Sequence, residues 1–238
     1  MRCKLADICS KIGSGATPRG GKEAYCEKGI SLVRSQNVLD FSFSHDGLAF
    51  INNEQAAKLS NVEVFDGDVL LNITGDSVAR ACIMDSAFLP ARVNQHVAIV
   101  RGKKSHVLNR YLLYFLQWQK GYLLQLASAG ATRNALTKGM LEQLEIDLPS
   151  LDEQKRIVAI LGALDDKIEL NNKINENLEK QAEAIYQKCF GDVDIAKKQG
   201  ILSDICTYSK EKVAVSKLEA NTYFSTVNML PGKSGAAE

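Results

Sequence analysis

The chain lacks the residue patterns that announce a metal centre, a disulfide scaffold or a membrane span. Its six cysteines, at positions 3, 9, 26, 82, 189 and 206, form no CxxC pair, and the three histidines, at 45, 96 and 106, share no ligand spacing with them. Zinc sites and disulfide frameworks both need regular spacing, so neither is expected. No run of about 18 apolar residues and no signal-peptide h-region occurs, which makes a cytoplasmic protein the expectation. Excess charge of one sign is missing as well: 29 Lys and Arg stand against 28 Asp and Glu. Strong electrostatic binders of nucleic acid usually have a pI above about 9, so any DNA bound here would owe part of its neutralisation to a partner.

What is present is the composition of a globular protein. At 238 residues, 45% hydrophobic and 24% charged, the chain has room for one large domain or for a domain of about 150 residues with appendages. The charge is unevenly spread. Lys and Arg stand against Asp and Glu as 17 to 14 in residues 1–150, 6 to 8 in 151–190 and 6 to 6 in 191–238. The first segment is mildly basic, which is compatible with nucleic-acid binding without requiring it.

The chain is organised around the stretch from Ser150 to Phe190, which predicts one long helix with a coiled-coil seam. Pro149 stops what precedes it, and Ser150 with Glu153 has the spacing of a capping box. Ile157, Leu161, Leu164, Ile168, Asn171, Asn175, Leu178, Ala182, Ile185 and Cys189 then recur at alternating steps of four and three. At helical rise this is a rod of about 58 Å. A rod with one apolar stripe needs a second helix along it, and two Asn in mid-seam suit the choice of register and partner. A long core helix of an ordinary globular domain is the alternative.

Ahead of the helix the pattern is strands first and helices after, an α+β reading for residues 1–149. A strand is expected over Lys4–Cys9, followed by the glycine-rich loop from Gly13 to Lys22. That loop fails the Walker test, which wants Gly at position 16 and Ser or Thr after the lysine; here they are Ala16 and Glu23. It reads as an arm carrying Arg19 and Lys22, or as a solvated loop. Ile30–Val33 is a predicted strand ending in Arg34, Ser35, Gln36 and Asn37, side chains that can read base edges and that also suit a turn.

A short helix is expected around Asn52–Leu59. Strands are expected over Asp68–Asn72 and Arg80–Met84, joined hairpin-like through Thr74-Gly75-Asp76, and over Val93–Arg101 with Asn94, Gln95 and His96 at its entrance. Without a carboxylate or thiol nearby in sequence, His96 reads as structural or base-contacting. Tyr111, Leu112, Phe115 and Leu116 share a helical face that suits a core. Gly121 is expected to break that helix, and a second runs to about Ala129. Gly130 to Asn134 is a flexible basic segment, before a helix over Lys138–Gln143 and a strand over Leu144–Leu148. Near the end, Leu202-Ser-Asp-Ile-Cys206 repeats Leu5-Ala-Asp-Ile-Cys9, as if a second unit began there. Its remaining residues are too few for a core of their own.

These segments resemble the specificity subunits of type I restriction-modification systems. The resemblance is carried by Leu5–Cys9 with Gly13–Pro18, Gly29–Arg34 with Asn37, Gly67–Leu71 with Thr74-Gly75, Asn94–Val97, Ala131–Asn134 and, most specifically, Leu148-Pro-Ser-Leu-Asp-Glu-Gln-Lys-Arg-Ile157. It implies a target recognition domain in 1–149, a long conserved coiled-coil helix in 150–190, and in 191–238 a linker and the incomplete start of a second recognition repeat.

Members of that family resemble a tandem of two recognition domains separated by two antiparallel helices, so one domain and one helix look like a half-length form. The implied role is a non-catalytic reader of double-stranded DNA with a bipartite target. It recruits methyltransferase subunits through the helix, and restriction subunits through them. A homodimer through antiparallel helices is expected, and no membrane, cofactor or catalytic residue. No methyltransferase loop of the Asn-Pro-Pro-Tyr kind and no glycine-rich cofactor fingerprint is found. The side chains expected at DNA are Arg19, Arg34, Ser35, Gln36, Asn37, Asn94, Gln95, His96, Arg133 and Asn134 for bases, with Lys22, Thr74 and Arg80 for phosphates. A stand-alone homodimeric DNA-binding protein is the alternative, and an enzyme using the glycine-rich loop and Lys22 is a third reading.

Overall fold

The computed structural model of the chain describes residues 2–18, 24–128, 134–190, 201, 206 and 207. Along them run β1 (Arg2–Lys4), α1 (Leu5–Ile8), β2 (Cys9–Ser14), β3 (Ile30–Val33), β4 (Ala49–Ile51), α2 (Asn53–Lys58), β5 (Glu63–Val64), β6 (Val69–Asn72), β7 (Ala81–Ile83) and β8 (Ala91–Val93). They are followed by β9 (Val97–Gly102), α3 (Asn109–Trp118), α4 (Lys120–Ser128), α5 (Lys138–Glu142), β10 (Glu145–Asp147) and α6 (Leu151–Phe190). The chain divides into two units, Met1–Ile174 and Asn175–Glu238, with the boundary inside α6. The repeat at 202–205 lies outside the described residues.

The first unit is α+β, built on two four-stranded sheets. One has the order β2-β9-β6-β7 and is antiparallel throughout. The other, β4-β3-β8-β5, holds one parallel pair, β3 with β8. Strand alternation decides what each face meets. Val69 and Leu71 of β6, with Ala98 and Val100 of β9, share a core with Leu112, Leu116 and Leu123 of the helices. The intervening Leu70, Val97 and Ile99 share a core with Leu32, Val33, Ile51 and Val93 of the second sheet. Helices, sheet and sheet therefore form three layers. The apolar run of β6 is buried at all its positions, as expected for a strand covered on both faces. Burial in these cores pushes the thiols of Cys9 and Cys82 up to about 12.

Three local readings change. Lys4–Cys9 is not one strand: a helical turn, α1, separates β1 from β2, because Leu5 and Ile8 both enter the core and Asp7 caps the turn by accepting the Lys4 N–H at 3.0 Å. Val93–Arg101 is two strands in different sheets, β8 and β9, with Asn94–His96 as the crossing between them. Gly121 lies inside α4, and the break between α3 and α4 falls at Gln119.

The long helix begins where its capping box places it. The Ser150 N–H donates to Glu153 Oε2 at 3.0 Å and the Glu153 N–H to Ser150 Oγ at 3.3 Å. One turn in, Gln154 is fully buried: its Nε2 donates to the His106 and Pro149 carbonyls, and its Oε1 accepts from Leu108 N. Two turns further, Arg110 of α3 lies against Gly162, where a Cβ would come within 3.0 Å of the guanidinium carbon. Arg110 pairs with Asp166 at 2.9 Å, and the Tyr114 hydroxyl donates to Asp165. Burial, with that bond second, pushes the Tyr114 hydroxyl up to about 12. From Asp166 to Phe190 every residue of α6 is exposed, including Ile168, Leu178 and Ile185 of the seam.

Candidate nucleic-acid interface

The crossing at Asn94–His96 is the geometric centre of the site. Asn94 joins three segments through its backbone: its N–H donates to Val33 O, and its carbonyl accepts from Gly15 N and Val97 N. Its side chain accepts the His96 N–H at 3.0 Å and is buried. Gly15 must come this close, since a Cβ there would lie 1.8 Å from Val93 O. A second link is Asn72 at the end of β6. Its buried Nδ2 donates to Ser35 O at 2.9 Å and Val38 O at 3.2 Å, tying one sheet to the loop that ends a strand of the other.

A chain of side chains then spans three loops. Thr17 Oγ1 bonds to Gln95 Oε1, Gln95 Nε2 lies 3.0 Å from His96 Nε2, and His96 Nδ1 lies 2.5 Å from Thr74 Oγ1. The tautomer of His96 decides which atom donates in each of its two contacts. The segment after 133 closes the ring: Gly75 N donates to Asn134 O, Leu136 N to Ile73 O, and Ile73 N to His96 O.

Five stretches far apart in sequence thus meet at one edge of the two sheets: 15–18, 34–37, 72–80, 94–96 and 134–136. Where three of them meet, 34–37, 72–80 and 94–96, lies a polar cleft of about 480 Å³ lined by Ser35, Gln36, Thr74, Asp76, Arg80 and His96, with Gly75 and Ser77. Ala79, in the left-handed backbone region at φ 67°, turns the chain tightly so that its own methyl is buried while the adjacent Arg80 is exposed.

The expected residues fall into three groups. Ser35, Gln36, Thr74, Arg80 and His96 line the cleft, with Gln95 exposed beside His96 and Asn134 attached through its carbonyl. Asn37 and Asn94 are buried and engaged internally. Asn37 Oδ1 accepts from Arg34 N, and its Nδ2 donates to Ser44 O and Asp46 O. Arg34 is half-buried, bonded to the Gly47 carbonyl, with its guanidinium 5.6 Å from the centre of the Tyr25 ring. The third group, Arg19, Lys22 and Arg133, lies outside the described residues. Sequence reasoning passed over Asp76, Ser77 and Thr17. Their neighbours Thr74 and Gly75 were the available signal, but only folding brings them beside Arg80 and Gln95.

The first unit is thus a three-layer domain with a polar loop cluster at one edge of its two sheets, and a long helix follows it in the chain. Residues 2–180 match the family model described as "Type I restriction modification DNA specificity domain", and the chain belongs to that family. In Methanocaldococcus jannaschii, a relative named for a type I restriction enzyme MjaX specificity subunit is 34% identical over 193 residues, 79% of this chain and 44% of that protein. The HindI specificity subunit of Haemophilus influenzae is 24% identical, covering 81% of this chain and 43% of its own.

Among solved structures, the type I restriction-modification S subunit from M. genitalium superposes with a TM-score of 0.60 at 15% identity, over 82% of this chain and 46% of that one. The HsdS subunit from Thermoanaerobacter tengcongensis gives 0.53 at 21%, over 80% and 44%. At these identities the superpositions establish the fold alone. The chain spans a little under half the length of the relatives it matches. Among the described residues no helix is long and apolar enough to cross a membrane.

Proposed function

We propose that this chain is the DNA-reading, non-catalytic specificity element of a cytoplasmic type I restriction-modification complex. Residues 1–149 act as the target recognition domain, 150–190 as the conserved helix, and 191–238 as a linker with the start of a second repeat. The observation that carries this is the meeting of five loops at one edge of the sheets, three of which line one polar cleft, in a chain whose family is one of DNA specificity domains. Gln36, Gln95, His96 and Asn134, with Ser35 and Arg34, are the proposed base readers, and Thr74 and Arg80 the phosphate contacts. Arg19, Lys22 and Arg133 complete the proposed set from outside the described residues. Asn37 and Asn94 serve by holding the loops that present the others.

Two copies paired antiparallel through α6 place identical domains at the two ends of a rod, and a two-fold pair reads two inverted half-sites across an unread spacer. The same rod recruits methyltransferase subunits, and restriction subunits through them. The test is selection of bound duplexes from a randomised pool by the chain together with a type I methyltransferase subunit. Enrichment of one inverted bipartite sequence with a fixed spacer is expected. Binding without enrichment of any sequence would refute the reading, and enrichment that is unchanged by omitting the methyltransferase would reduce it to a stand-alone DNA-binding dimer.

A further inference from the structure

The seam of α6 is symmetric about Lys173. Ile157 lies as far before it as Cys189 lies after it, and the same holds for Leu161 with Ile185, Leu164 with Ala182, Ile168 with Leu178, and Asn171 with Asn175. In an antiparallel pair of identical helices, residues equidistant from the two-fold axis face each other. An axis at Lys173 therefore sets Asn171 of one chain against Asn175 of the other, twice, so that each buried amide finds a partner.

Sliding the pair by one heptad in one direction sets the two asparagines against Ala182 and Leu178. Sliding it in the other sets them against Ile168 and Leu164. In both cases the amides are desolvated without hydrogen bonds, which a core position tolerates poorly. The first unit adds a second constraint. Leu161, Leu164 and Ile168 of the seam, with Trp118, Phe41 and Tyr114, line an apolar groove of about 430 Å³ beside the root of the helix. Trp118, 80% exposed, is the single tryptophan of the chain.

Resting on the dimer reading above, we infer that α6 is built for one antiparallel register with a second copy of this chain, fixed by the Asn171–Asn175 layers. The groove beside Trp118 is filled by the other copy's Leu178–Ile185 turns.

The chain carries its own probe, because Cys189 is exposed and faces Ile157 of the other copy in this register. In the full chain with Cys206→Ser removing the other exposed thiol, Ile157→Cys should give a covalent dimer on mild oxidation or with a short bis-maleimide. The product should vanish when Cys189→Ser is added, and Leu164→Cys should not cross-link. The solution mass is measured in parallel, and Trp118 emission should shift to the blue as dimer replaces monomer across a dilution series, a readout that needs no new cysteine.

A dimeric mass with cross-linking through Leu164→Cys would mean a pair slid by one heptad. Cross-linking of Cys189 to itself in the parent would mean parallel helices. Either result, or a dimer that cross-links in none of the variants, overturns the register and leaves the dimer standing. A monomeric mass at all concentrations overturns the dimer itself, and the partner helix would then belong to another chain.

Discussion

Gln154 Oε1 accepts the backbone N–H of Leu108 at 2.9 Å, a bond spanning 46 positions of sequence. The same amide donates to the carbonyls of His106 and Pro149. One buried side chain thus satisfies the N–H at the start of α3 while seating the first turn of α6. Replacing it with leucine keeps the volume and orphans the Leu108 N–H and two carbonyls. We expect Gln154→Leu to lower the unfolding free energy by about 1–3 kcal/mol, measured by urea denaturation at neutral pH. A loss no larger than that of an exposed control such as Gln187→Leu would show that the joint does not depend on this amide.

The capping carboxylate makes this joint sensitive to acid. Hydrogen bonds from the Ser150 backbone and hydroxyl hold the Glu153 carboxyl below its usual range. Its folded pKa is depressed, so its stabilising effect is complete above the unfolded value of about 4.3 and fades as pH falls through the folded value. Wild type should therefore melt above Glu153→Gln near neutrality, with the gap closing on acidification below about pH 4. A gap independent of pH would assign the effect to packing.

Arg80 and Asn94 should separate recognition from architecture. Arg80 is exposed at the cleft, so Arg80→Ala should leave the melting temperature near wild type and weaken DNA binding. A phosphate role lowers the slope of log K against log salt by about one, uniformly across sequences. Asn94 is buried at the crossing between sheets, so Asn94→Ala should cost about 1–3 kcal/mol of stability. Thermal melts and anisotropy titrations at two salt concentrations check both expectations, and equal melting temperatures for the two variants would contradict them.

Gly15 is a site of close approach. A methyl there would sit 1.8 Å from Val93 O and 2.9 Å from a Val62 methyl, so Gly15→Ala must push the loop off the crossing strand. The Gly15–Asn94 and Thr17–Gln95 bonds should be lost together. Amide exchange at Gly15 should then become fast, while exchange in β6 stays slow. Protection at position 15 equal to wild type would show that the loop adapts without leaving.

Much of this molecule was legible in one dimension. The capping box at Ser150 and Glu153, the helix that runs on from it to Phe190, and the run of β6 flanked by Gly67 and Thr74-Gly75 are local patterns, and short-range hydrogen bonding and side-chain periodicity determine them. The family motif from Leu148 to Ile157 announced itself the same way, although Gln154 gave no sign of its burial. What the chain could not reveal alone was long-range. That Val93 and Val97 belong to different sheets depends on which strands pair with them, and α1 replaces a strand because Leu5 and Ile8 face one core.

The site follows the same rule. The loops bearing Ser35, Thr74, Arg80 and His96 were visible as polar stretches, but side-chain type does not separate Asn94, a buried tie, from Gln95, an exposed one. Sequence determined the local elements and the kinds of side chain available. Tertiary structure decided which amides are buried at the sheet crossing and which reach the cleft, because burial is set by neighbours far away along the chain.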